Sequence, residues 1–294
     1  MSSDSNPTGE RSAVSDTGVR RWRENLVLCL PLMVFSVVAM SPARREERPP
    51  LRVCADPNNL PFSDSAKNGF ENRIATLIAR SRGQRLEYAW WPARRGFIRN
   101  TLRAGRCDIV MGVPSSYELT MASIPYYRST YVFVTRTDRH LAVRSFDDSV
   151  LRHLRIGIHM MGDDYANSPA ALSLQRRRLG AQIVGYMIYG DYSKPHPPSA
   201  LIDAVTRGDV DVAVAWGPLA GYFAKQSRVP LTLTNVSPAI DLPFTPFVFD
   251  IAVGMRRGDT ARRAMVDSEL VRHRVDIQRI LSDFGVPLLT TRAR

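Results

Sequence analysis

The chain has 294 residues, 44% of them hydrophobic, and its 40 Lys and Arg outnumber 28 Asp and Glu for a net charge of +12. Such a length and apolar content allow one large domain or two medium ones and exclude global disorder. The arginines are scattered through helical stretches and form no nucleic-acid-binding motif, so the excess reads as a solvated basic surface that favours acidic partners.

Arg20, Arg21 and Arg23 precede an apolar run from Leu26 to Met40, and small residues follow at Ser41 and Ala43. This is the order of a secretory signal peptide. The run of 15 residues is short of the roughly 20 that span a bilayer. Residues 1–43 are therefore expected to be a signal peptide, which leaves no stable membrane insertion after cleavage and places the mature chain in the periplasm. Cleavage would remove four basic and four acidic residues, so the charge stays near +12. It would also remove Cys29 and leave Cys54 and Cys107. In an oxidising compartment these two could be bridged or could remain buried thiols, and strand register decides between the two. Two cysteines make no metal site.

Leu51–Ala55 reads as a buried strand, 56–68 as a polar loop, and Glu71–Arg82 as a helix with Ile74, Leu77 and Ile78 on one face. Leu86–Trp90 is a second strand. A helix is expected near Arg94–Ala104, with Ile98 and Leu102 facing the core. Cys107–Met111 is a third strand. This β-α-β-α-β order predicts a parallel sheet with helical crossovers. Tyr126–Arg136, rich in Tyr, Val, Phe and Thr, reads as a crossing strand.

A second series follows: strand Arg155–His159, helix Pro169–Leu179 capped by Ser168, strand Ile183–Tyr189, helix Ser199–Thr206 and strand Val210–Ala215. Phe247–Met255 is a long strand, and Glu269–Phe284 an amphipathic helix with Leu270, Val271, Val275, Ile277, Ile280 and Leu281 apolar. The two series echo each other. Each has a helix ending at glycine (Gly105, Gly208), an aspartate three residues on (Asp108, Asp211), and then a buried strand.

The expected architecture is α/β and two-lobed. Each lobe is a mainly parallel sheet flanked by helices, and strands near 126–136 and 247–255 cross between the lobes. Residues 51–136 plus 245–294 would form lobe I and residues 137–244 lobe II. Ligands of such folds sit near strand C-termini and helix N-termini.

Over about residues 51–288 the sequence resembles the type 2 periplasmic binding proteins. The resemblance is carried by Leu51–Asp56 with Leu60-Pro61-Phe62, the two Gly-x-x-Asp turns, Pro125-Tyr126-Tyr127, and the run from Ile251 to Asp259. A denser resemblance lies in Val53-Cys54-Ala55-Asp56-Pro57-Asn58-Asn59-Leu60-Pro61-Phe62-Ser63, Gly69-Phe70-Glu71-Asn72, Trp91-Pro92-x-Arg94-Arg95-Gly96-Phe97-x-Arg99-Asn100-Thr101-Leu102 and Gly105–Pro114. These segments are similar to the MoxJ/XoxJ family, the binding-protein-like companions of quinoprotein methanol dehydrogenases. The resemblance implies a periplasmic accessory role in methanol oxidation, activating or maturing the dehydrogenase through protein–protein contact with that enzyme or its cytochrome c. The dehydrogenase would hold the quinone and metal, and no cofactor is expected on this chain.

Amino-acid-binding relatives of this fold hold the ligand carboxylate with an Arg before the Pro-Tyr-Tyr segment and the ammonium with an Asp after the second-lobe strand. Here 114–124 contains no Arg, with Ser116 or Tyr117 standing where it is expected, and Trp216 stands where the Asp is expected. A buried ligand charge needs a paired opposite charge, so a free amino acid is a poor ligand unless Arg94, Arg95 or Arg128 substitutes. Phe62, Trp91, Tyr117 and Trp216 could line an apolar cleft with Asn58 and Asp163 at its edge, or could be ordinary core. Trp90-Trp91 with Arg94 and Arg95 could form an aromatic–cationic contact patch, or one core and one surface Trp beside a solvated helix face. His159-Met160-Met161-Gly162-Asp163-Asp164 matches no defensible metal spacing. Glu71, Glu87 and Glu118 are candidate cleft acids without an evident partner base, so no enzyme is expected. The alternative function is a solute receptor of an ABC transporter for a small ligand other than an amino acid.

Overall fold

Leu51–Ala55 is apolar on both faces, and in the computed structural model it forms β1, buried between two parallel neighbours. The structure describes residues 48–160, 168–187 and 197–290. The expected signal segment 1–43 and the candidate Asp163 lie outside them. Helix α1 (Phe70–Ser81) follows. Its Phe70, Ile74 and Ile78, spaced by one turn, are fully buried, and each contributes about 1.5–3 kcal/mol of apolar burial. Strand β2 is Leu86–Trp90. The expected helix over 94–104 shrinks to a single turn, Phe97–Asn100, although Ile98 and Leu102 do point into the core. Strand β3 (Ile109–Pro114) and the long β4 (Tyr127–Arg136) complete this series.

The second series is β5 (Ile156–Met160), α2 (Pro169–Arg176), β6 (Ile183–Met187), α3 (Ala200–Arg207) and β7 (Val212–Trp216). Ser168 caps α2 by accepting the Ala171 N–H, with Pro169 in the first turn. Among the elements without a counterpart in the sequence reading are α4 (Gly217–Gln226) and β8 (Leu231–Asn235). The Gly217-Pro218 pair looks like a break in sequence, yet proline suits the first turn of a helix. Strand β9 (Val248–Met255) precedes α5 (Thr260–Arg272) and α6 (Arg274–Asp283). The single helix expected over 269–284 is thus two helices broken at His273. The break turns Val271 and Val275 into solvent, at 65% and 64% exposed, while Leu270, Ile277 and Leu281 remain buried.

Hydrogen-bonded strands run in the order β2-β1-β3-β9-β4-β7-β5-β6, with β8 added to β4. On one side β1 is parallel to β2 and β3; on the other β5 is parallel to β7 and β6. Between them β4 and β9 run antiparallel, with Val248 opposite Thr130 and Ile251 opposite Tyr127. The second part of β4 pairs antiparallel with both β7 and β8. Each half carries core on both faces. In the N-terminal half, α1, α5 and α6 cover one face, and Cys54, Ile98, Leu102 and Cys107 fill the other. In the C-terminal half, one core gathers Phe133, Phe146, Leu174 and Phe247, and the other Val132, Leu201, Ala213 and Leu219. Cys54 and Cys107 are joined by a disulfide with their Cα atoms 5.4 Å apart. Among the described residues no helix is long and apolar enough to cross a membrane.

Candidate functional site

The antiparallel register of the two crossing strands sets aromatic side chains where the halves meet. Tyr131 of β4, Phe249 of β9 and Trp216 at the end of β7 form a triangle of rings, with centroids 5.5 Å (Tyr131–Trp216), 5.7 Å (Trp216–Phe249) and 6.4 Å (Tyr131–Phe249) apart. Burial pushes the pKa of the neighbouring Tyr127 hydroxyl well above the ordinary tyrosine value. Phe62 packs edge-on to Phe70 at 5.4 Å and touches the cores of both halves, as does Tyr222. Leu60, on the loop after β1, is 5% exposed and sits inside the core built by α3, α4 and β7. A side chain from one half thus completes the core of the other.

The chain after α6 adds a second tie. Tyr222 of α4 stacks on Phe284 at 5.4 Å. Ser129 Oγ donates to the Pro287 carbonyl at 2.6 Å, the Leu289 N–H to the Arg128 carbonyl at 2.9 Å, and Lys225 Nζ to the Asp283 carbonyl at 2.8 Å. Gly221 lets α4 approach so closely that a Cβ there would collide with the Gly285 carbonyl. The halves are therefore interlocked by buried apolar side chains, by the Tyr222–Phe284 stack and by the Lys225–Asp283 hydrogen bond, rather than joined only by the two crossing strands.

The charged groups at this seam are engaged or neutral. Arg128, the one candidate on the crossing strands for holding a carboxylate, pairs across strands with Asp250 at 3.3 Å. Ser116 and Tyr117 lie on an exposed loop, Tyr117 at 38%. Trp216 presents a ring, packed on Tyr131 and Phe249. Glu71 in the first turn of α1 lies against the α-carbon of Gly112. Burial raises its pKa to about 8, and among the described residues no cation offsets this. At pH 7 it is therefore largely a neutral acid set among tyrosines. Tyr88 is pushed up to about 12, chiefly by burial and further by Glu71, and burial pushes the Tyr126 hydroxyl well above the ordinary tyrosine value. Glu87 is exposed and pairs with Arg85, and Glu118 is exposed, so neither faces this seam.

Of the other residues singled out in the sequence, Phe62 and Trp216 both pack against the N-terminal core. Asn58 belongs to a tight loop, donating its N–H to Asp56 Oδ1 at 2.8 Å. Trp91 faces the Arg106 guanidinium at 5.2 Å, Trp90 stacks on Tyr88 at 4.4 Å, and Arg94 and Arg95 are exposed. Arg106 is the cation over Trp91. His159 is buried at the end of β5, and burial lowers its pKa to about 4. Tyr131, Phe249, Tyr222 and Leu60 are the seam residues that sequence patterning passes over. Tyr131 and Phe249 could have been found once the two crossing strands were set antiparallel.

No family model matches the chain. A protein named MoxJ from Methylorubrum extorquens (strain AM1) is 31% identical over 272 residues, spanning 89% of this chain and 90% of the relative. The chain belongs to the MoxJ family. Solved structures that share its fold include the following two. MxaJ from Methlophaga aminisulfidivorans MPT matches with a TM-score of 0.71 at 24% identity, covering 81% of this chain and 100% of that one. The periplasmic binding protein XoxJ from Methylobacterium extorquens AM1 matches with a TM-score of 0.67 at 32% identity, covering 82% and 100%. This MoxJ-family chain therefore has the two-lobed α/β architecture of a type 2 periplasmic binding protein, with an aromatic, interlocked seam between its halves.

Proposed function

We propose that this chain is a periplasmic accessory protein of a quinoprotein methanol or alcohol dehydrogenase, acting on that enzyme's activation or maturation by protein–protein contact and not as an enzyme. Kinship with MoxJ and with the periplasmic binding protein XoxJ supports both the compartment and the link to methanol oxidation. On this reading residues 1–43 are the export signal, 51–136 with 245–294 form lobe I and 137–244 form lobe II. The observation that carries the choice of a protein partner over a solute is the seam: Leu60, Phe62, Trp216 and Tyr222 fill it, and Arg128 is spent on Asp250. A solute receptor works by hinge closure on its ligand. Here, opening would expose the buried Leu60 and break the Lys225–Asp283 hydrogen bond and the Tyr222–Phe284 stack. The net charge of +12 would steer an acidic partner, the dehydrogenase or its cytochrome c.

The test is methanol dehydrogenase activity in periplasmic extracts of a strain lacking the gene, with enzyme abundance measured alongside. The expected result is enzyme present but inactive, with activity restored by the gene. Normal activity at normal abundance would contradict the role.

A further inference from the structure

Residues 240–246 form a hairpin that the seam does not use. Ile240 pairs with Pro246 and Asp241 with Thr245, leaving Leu242-Pro243-Phe244 as the turn. Leu242 is 78% exposed and Phe244 87%, with Ile240 beside them at 54%. Single exposed apolar residues are ordinary, but large ones clustered on one projecting turn mark an interaction site. The base of the turn is fixed. Asp241, almost fully buried, accepts from both terminal nitrogens of Arg177 at 2.9 Å and also pairs with Arg176. Thr245 Oγ1 accepts from Arg176 at 3.0 Å, and Arg177 reaches on to Asp147 at 2.7 Å. The Arg177 hydrogen bond, the largest effect on Asp241, outweighs burial and holds that carboxyl well below the usual range. Two arginines at the C-terminal end of α2 therefore brace a turn whose tip touches water. A braced tip loses little conformational entropy on binding, and Phe and Leu are side chains of the size that fill an apolar pocket.

The charges around the tip indicate what fills that role. Arg176 and Arg177 are balanced by Asp241 and Asp147, and the exposed Arg178 beside them leaves one cation over at the base of the hairpin. The chain as a whole remains at +12, which draws an acidic protein by long-range attraction. We propose that Leu242 and Phe244 are the anchors by which this chain docks into an apolar pocket on the acidic face of a periplasmic protein partner, which on the reading above is the dehydrogenase.

The test uses the full mature chain and the L242S/F244S variant, titrated against the purified dehydrogenase, with thermal unfolding of both chains measured first. The variant should unfold at the same temperature and bind at least about 30-fold more weakly. A photo-crosslinker placed at position 244 should capture the dehydrogenase. Equal affinity of variant and wild type would overturn the hairpin assignment while leaving the dehydrogenase as partner. Absence of binding by the wild type would overturn both. Co-sedimentation with phosphatidylglycerol vesicles that the variant loses would instead assign the hairpin to the membrane. A wild-type dimer that the variant loses in sedimentation would assign it to self-association. Either result would overturn the proposal.

Discussion

In the N-terminal half Arg52, inside β1, turns back onto the Gly-x-x-Asp turn before β3. Its guanidinium takes Asp108 at 2.9 Å and the Gly105 carbonyl at 3.3 Å, and its N–H donates to Asp108 at 3.2 Å. In the C-terminal half Arg155, just before β5, does the same to the turn before β7. It takes Asp211 at 3.2 Å and the Gly208 carbonyl at 2.7 Å, and its N–H donates to Asp211 at 2.9 Å. Gly105 and Gly208 both adopt positive φ, +71° and +79°, the left-handed turn that glycine tolerates best. The sequence echo thus encodes one device used twice, an arginine that fastens a helix-to-strand turn to the neighbouring parallel strand.

The two copies differ in what surrounds them. Asp108 also faces Arg256 at 3.4 Å and Arg262 at 3.6 Å, is 6% exposed, and adjoins the Cys54–Cys107 disulfide. Asp211 has Arg139 as its further cation, at 3.6 Å, and is 12% exposed. Burial opposes ionisation at both aspartates, but the Arg hydrogen bonds and charges outweigh it and hold both carboxyls below the usual range. The same motif is therefore a buried, covalently reinforced anchor in one half and a surface clasp in the other. Repeated sequence predicts repeated geometry here, while surroundings set the energetic weight.

Breaking the reinforcement should have the largest effect. Replacing Cys54 and Cys107 by serine opens a crosslink between positions 53 residues apart, and chemical denaturation should show a loss of about 3–4 kcal/mol. Next, Asp108→Asn should cost about 2–3 kcal/mol, because three cations lose their carboxylate in a buried setting. Asp211→Asn should cost less than half of that, and equal losses would erase the distinction between the halves. The folded pKa of Asp108 lies below its unfolded value. Its contribution is therefore complete above the unfolded pKa and fades as pH falls through the folded one, so the variant should show a flatter acid limb. Gly221→Ala, which forces α4 away from Gly285, should cost about 2 kcal/mol. Glu71→Gln should have an effect that depends on pH and is smallest in acid. Its folded pKa, raised to about 8, lies above the unfolded one, so the native state loses stability as pH climbs from the unfolded value to the folded one. Glutamine should be close to neutral at pH 5 and stabilising by about 2 kcal/mol at pH 9, measured by thermal unfolding at both.

Much of this fold is legible in the sequence because its parallel strands are short apolar runs closed by glycine turns. Leu51–Ala55 and Val212–Trp216 need no tertiary information to be read as buried strands. The helix over 94–104 misleads because Ile98 and Leu102 keep helical spacing although the chain winds only one regular turn. Val271 and Val275 mislead because a break at His273 rotates one helix relative to the next, which periodicity alone cannot report. The missing ligand anchors could be read residue by residue. The seam could not, because Leu60 reaches a core whose other members lie far along the chain, beginning at Val132. Only the antiparallel crossing of β4 and β9 brings Tyr131, Phe249 and Trp216 together.

The most direct test of the central claim, a protein partner rather than a solute, is titration of the mature chain against the purified dehydrogenase at low and high salt. A library of amino acids, amines, sugars and small acids would be screened for thermal stabilisation in parallel. The account predicts saturable binding to the dehydrogenase that weakens as salt screens the +12 chain, since screening acts within about 10 Å at 0.1 M, together with a flat response to every solute. No binding to the dehydrogenase, with stabilisation by one solute of about 2.7 kcal/mol at a hundredfold excess over its Kd, would contradict it.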